Sequence, residues 1–142
     1  MKHLICAVTI LFSLNAFAHG EDKLGPNGGF IQMPGAYHTE LVPDGTHKLK
    51  VFFLDISWQT QGLNDSSVEI IYKGKKTLKS ACEPQKTQDK SFFECIFPKD
   101  ADLTKNGKLI VTSQHNKQKG NDVTYPLPLK LQNTSESPGS HH

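Results

Sequence analysis

Lys48-Leu49-Lys50-Val51-Phe52-Phe53-Leu54-Asp55-Ile56 is the stretch that decides the fold. Its first half alternates lysine with an apolar residue, the period of a strand with one wet face. From Val51 to Leu54 it is apolar at every position, as expected of a strand covered on both faces at the centre of a sandwich. The residues on either side repeat the motif in shorter form. Upstream, Phe30-Ile31-Gln32-Met33 ends at Pro34-Gly35, and residues 37–42 form a second strand closed by Pro43-Asp44-Gly45.

Downstream, Asn64-Asp65-Ser66 marks a turn, and residues 67–72 and 75–82 flank Lys73-Gly74 as a tight hairpin. Residues 83–90 are polar, contain Pro84 and read as an exposed loop. Residues 91–97 return as a strand that Pro98 stops. Residues 100–103 suit one helical turn, residues 108–113 are strand again, and residues 123–131 are the last strand. Pro126 and Pro128 remove ladder donors from that strand and assign it to a sheet edge. No stretch of the chain beyond residue 18 keeps a helical period over ten residues. The pattern predicts an all-β fold: a small antiparallel β-sandwich, immunoglobulin-like in general shape, with seven or eight short strands. Trp58 follows the central strand and is placed to plug the core.

The opening residues carry a positive charge, an apolar run from Leu4 to Leu14 and Asn15-Ala16-Phe17-Ala18, the grammar of a secretory signal peptide. The run is well short of the ~20 residues that span a bilayer, so no membrane span is expected after cleavage. This predicts a leader over 1–18, a flexible mature terminus over 19–27, the sandwich over 28–132 and a polar tail over 133–142, in a periplasmic or secreted product. Beyond the leader the chain has two cysteines, Cys82 and Cys95. In an oxidising compartment such a pair reads as a disulfide. It would staple the two ends of the polar loop and contribute roughly 3 kcal/mol.

The formal net charge is +2, and every cationic side chain other than histidine is lysine. Absence of arginine argues against a nucleic-acid partner, whose phosphates and guanines are read by guanidinium forks. The motifs of nucleophilic hydrolysis are missing as well: there is no Gly-x-Ser-x-Gly and no cysteine beside a histidine. Gly25-Pro26-Asn27-Gly28-Gly29 is glycine-rich but precedes a strand, without the helix N-terminus that makes a phosphate cradle.

Metal ligation is the chemistry best represented. His38 and Glu40 lie two apart on a predicted strand and so leave the same face. Imidazole plus carboxylate is half of a Zn(II) or Cu(II) site. Cleavage after Ala18 would make His19 the amino terminus, offering its amine and its ring nitrogen to one Cu(II) ion. His47, near a turn, and His115, at a strand end, are further donors if they reach the end of the sandwich that holds His38. Met33 is the single methionine beyond Met1 and reads as core packing, since a Met-rich Cu(I) carrier needs several. His141 and His142 form a second, terminal pair.

Asn27-Gly28-Gly29-Phe30 followed by Gly35-Ala36-Tyr37-His38-Thr39-Glu40-Leu41-Val42 resembles the small periplasmic domains found in or beside bacterial heavy-metal efflux systems. In those, a His-Gly-Gly turn precedes a Tyr-His-x-Glu-Leu-Val strand. The resemblance spans residues 27–42 and implies handling of copper or other divalent ions in the periplasm. It carries over His38 and Glu40 but not the turn histidine, which is Asn27 here. Either His19 takes that place, or this chain has kept the fold without the metal. The expected function is an exported, non-enzymatic transition-metal-binding protein that serves efflux or homeostasis, with envelope efflux components as possible partners. Two alternatives are a metal-free interaction module of the cell envelope and a copper enzyme with an N-terminal histidine brace.

Overall fold

The computed structural model describes residues 21–131, so the leader, His19, and the tail with His141 and His142 lie outside the described residues. The strands are β1 Phe30–Gln32, β2 His38–Pro43, β3 Lys48–Leu54, β4 Ser67–Lys73, β5 Thr77–Lys79, β6 Ala81–Lys86, β7 Ser91–Ile96, β8 Gly107–His115, β9 Gln118–Lys119 and β10 Val123–Leu127. They form two antiparallel sheets of five strands. Sheet A has the order β1-β2-β3-β7-β6; sheet B has the order β10-β8-β4-β5, with β9 paired to β8. The all-β sandwich expected from the sequence is the observed architecture. Among the described residues no helix is long and apolar enough to cross a membrane.

β3 is the middle strand of sheet A, and Val51, Phe52, Phe53 and Leu54 are all buried. One face packs on sheet B, where Leu41, Leu49, Val51, Phe53 and Phe93 meet Ile70, Tyr72, Leu109, Val111 and Tyr125. The other face carries a second, smaller apolar cluster of Ile31, Phe52, Leu54 and Phe92, against which Val42 and Trp58 pack. Trp58 therefore covers the back of sheet A and does not enter the space between the sheets.

Two tyrosines make polar links across the main core. Tyr125 donates to the Thr39 carbonyl at 2.8 Å and lies 2.9 Å from its hydroxyl; Tyr37 and Ser113 share a 2.7 Å hydrogen bond. Complete burial holds the Tyr125 hydroxyl far above the usual tyrosine range.

Three local expectations differ. Residues 83–86 belong to β6 and not to a loop, in register with β7 from Ala81↔Ile96 to Lys86↔Ser91. The strand lies at a sheet edge, where its residues are exposed on both sides, so it shows no apolar alternation to be read. The disulfide Cys82–Cys95 forms as expected, but it joins directly opposed residues within that ladder, with Cα atoms 4.0 Å apart. Residues 100–103 are turn and irregular chain, with Ala101 N–H bonded to the Pro98 carbonyl, and form no helix.

His115 ends β8 inside the sandwich, its ring stacked on Phe53 at 5.0 Å and tilted 54° against Tyr37. Burial pushes its imidazole below the ordinary histidine range. Below about pH 6.5 the unfolded chain takes up a proton here that the folded chain resists, so stability falls as pH drops through that window. His115→Gln is expected to flatten the loss of melting temperature between pH 7 and pH 5. The carboxylate of Asp100, paired with Lys76 at 2.8 Å, titrates lower still and belongs to a separate, more acidic transition.

Candidate functional site

The sequence places His38 and Glu40 on one face, and the register agrees: His38 stands opposite Leu54 and Glu40 opposite Phe52, on the back of sheet A. Both are buried, His38 at 4% exposure and Glu40 at 0%. Their partners, however, are different.

Glu40 is closed upon by the glycine-rich turn. Its Oε2 accepts the backbone N–H groups of Asn27 at 2.9 Å and Gly29 at 2.8 Å, and its Oε1 accepts the Asn27 side-chain amide at 2.7 Å. A buried carboxylate without such donors would be prohibitively costly. The turn's composition follows from this contact. A Cβ on Gly25 would lie 2.4 Å from the Glu40 carboxyl, one on Gly29 would lie 2.5 Å from the Leu41 carbonyl, and Gly28 has φ +77°. Thus the turn is an anion cradle after all, for a side chain of its own protein. Asn27 is held in turn from outside: its amide also donates to Thr60 Oγ1 at 3.1 Å, and Lys90 Nζ donates to its Oδ1.

The segment ahead of β1 bonds to sheet A at Asn27. Glu21 N–H adds a bond to the Ile31 carbonyl at 3.0 Å, and Gly25 N–H bonds to the Gly29 carbonyl at 2.8 Å.

His38 faces the loop after β3. Its Nδ1 lies 3.0 Å from the Asp55 carbonyl oxygen, which can only accept, so Nδ1 carries the proton and Nε2 the lone pair. Nε2 has no partner among the described residues. The same Asp55 carbonyl accepts the Trp58 N–H at 3.0 Å, while Asp55 Oδ1 accepts the N–H groups of Ser57 and Gln59, each at 2.9 Å. One residue therefore fixes both the imidazole and the loop. That loop holds Trp58 at φ +63°, a left-handed conformation costing a bulky residue about 1–3 kcal/mol. The indole stands edge-on to the His38 ring, centroids 6.1 Å apart.

The other predicted donors do not join this pair. His47 sits at the opposite end of the β2–β3 hairpin with its Nδ1 on the Ala101 carbonyl. His115 is at the His38 end but between the sheets, beside Tyr37 and not on the back. Met33 is 41% exposed and is no core filler. Among the described residues no three His, Cys, Asp or Glu side chains gather as a metal-holding group. Asn27, Asp55, Trp58 and Lys90 are the site residues that strand periodicity missed, because each arrives from a loop. The one readable signal was the crowding of glycines at 25–29, one strand ahead of the glutamate on β2.

Comparison of the chain with protein-family models, with curated proteins and with solved structures finds no match.

Proposed function

We propose that the chain is an exported, non-enzymatic β-sandwich that binds a transition-metal ion through His38 and serves metal efflux or homeostasis in the periplasm. The observation that carries this reading is the His38 ring, with Nδ1 held by a backbone carbonyl and Nε2 without a hydrogen-bond partner among the described residues. Metal-ligating histidines are oriented in the same way, by a hydrogen bond from the second ring nitrogen. The Cys82–Cys95 bond suits an oxidising compartment. The resemblance over residues 27–42 supplies the efflux context.

Calorimetric titration of the chain from His19 onward with Cu(II) and Zn(II) tests the reading. Binding is expected to disappear in His38→Gln and to weaken as pH is lowered toward 5, because imidazole must be neutral to coordinate. Binding that survives His38→Gln and vanishes in the His141→Ala/His142→Ala chain would assign the metal to the tail and remove the reading.

The closed state of Glu40 favours a second reading, a metal-free module that docks on an envelope efflux component. Co-purification of one such component in the presence of a chelator, unaffected by His38→Gln, would select it.

A further inference from the structure

We infer that the back of sheet A, at the end of β3 away from His38, is a docking surface for a second copy of this chain. The two copies are related by a two-fold axis that runs along the strands between β3 and β7. Strand register lays the surface out in rows. Lys50 stands opposite Glu94, which stands opposite Glu83; Lys48 stands opposite Ile96, which stands opposite Ala81. Lys48 and Lys50 alternate with the core residues Leu49 and Val51, and Glu94 and Ile96 with Phe93 and Cys95, so all four point to the back. β3 therefore presents two lysines beside the glutamates that β7 and β6 present.

Three features of this patch have no counterpart within the chain. Among the described residues, Lys50, Glu83 and Glu94 belong to no ion pair; the Lys50 ammonium lies 5.0 Å from the centre of the Phe92 ring and leaves its neighbour Glu94 without a cation. Glu83 and Glu94 are directly opposed like charges, which weakens the β6–β7 ladder they belong to. Ile96 is 51% exposed although β7 is an interior strand of its sheet. A second copy answers all three. Turning the sheet over about an axis between β3 and β7 exchanges the lysine side with the glutamate side, so the surface is complementary to itself. Lys50 of each copy then meets Glu94 of the other, and one pair forms twice, as in any isologous contact. The added cation relieves the repulsion between Glu83 and Glu94. Lys48 falls on Ile96 of the second copy and covers it with its methylene stem.

Sedimentation equilibrium of the chain from His19 onward, in chelator and across roughly 1 μM to 1 mM, the span of weak complexes, tests the surface. The mass is expected to rise with concentration toward twice that of the monomer in ~0.1 M salt. It is expected to fall back in ~1 M salt, where charges are screened beyond about 3 Å. A monomer at every concentration, or a dimer that salt does not loosen, overturns the inference. Lys50→Glu and Glu94→Lys are each expected to be monomeric, because either sets like charges together at both contacts. An equimolar mixture of the two variants is expected to associate again, since each then meets its opposite charge in the other. Either variant associating alone as strongly as the wild type, or two folded variants whose mixture stays monomeric, overturns the inference. Should a variant fail to fold, carbodiimide coupling in a mixture of 15N-labelled and unlabelled wild-type chains decides. A peptide joining Lys50 of one isotope to Glu94 of the other supports the surface, and its absence overturns it.

Discussion

Glu40→Ala is expected to destabilise the metal-free protein by about 3–5 kcal/mol, measured by urea denaturation in the presence of a chelator. The substitution removes a fully buried carboxylate and leaves the buried Gly29 N–H, the half-buried Asn27 N–H and one proton of the Asn27 amide without their acceptor. Breaking a buried charged arrangement by removing one partner is among the costliest single changes. Glu40→Gln keeps the volume but turns an N–H2 group toward one of the donors, and is expected to lose roughly half as much. These outcomes separate a structural carboxylate from a metal ligand. A ligand would leave the metal-free stability nearly unchanged or raised on neutralisation. A shift of under about 1 kcal/mol for Glu40→Ala, the range of an ordinary surface substitution, would mean that the cradle does not hold the turn.

The second large effect is expected at the disulfide. Cys82→Ala/Cys95→Ala should lower stability by roughly 3 kcal/mol, the chain-entropy value for a closed loop of this size. Reductant should lower the melting temperature of the wild-type chain alone. The bond ties edge strand β6 to β7: Cys95 of β7 is fully buried in the main core, whereas every residue of β6 except the half-buried Cys82 is exposed. Loss of the bond therefore removes the strongest restraint on an edge that offers little apolar surface of its own. Equal melting temperatures with and without reductant would show that the β6–β7 ladder holds without it.

The outline of the fold was legible because its decisive signals are local. Unbroken apolar character from Val51 to Leu54 marks a strand covered on both sides, and β3 is the middle strand of sheet A. Pro126 marks an edge, and β10 is one. β6 escaped notice because an edge strand exposed on both sides has neither apolar period nor apolar run, and Pro84 looked like a breaker. The site was half legible for a related reason. Periodicity tells which face His38 and Glu40 share, but not what folds back over that face. Asn27 is 13 residues from Glu40 and Lys90 a further 63 from Asn27, separations that no local pattern encodes. Likewise Met33 looked like filler because composition does not reveal that β1 stops just before it.

Half of the back of sheet A is roofed by the turn of residues 25–29, the Trp58 loop and their apolar cluster, while Lys48, Lys50, Glu94 and Ile96 leave the other half open; sheet B shows water a plain alternation, with Glu69, Ile71, Thr112 and Gln114 facing outward. The molecule consequently has a finished side and an unfinished one. A large protein partner has the outer face of sheet B, the open half behind sheet A or a rim on which to settle. The roofed half has its polar groups already paired within the chain, Glu40 to the turn and the His38 ring to Asp55, and offers a partner little to hold.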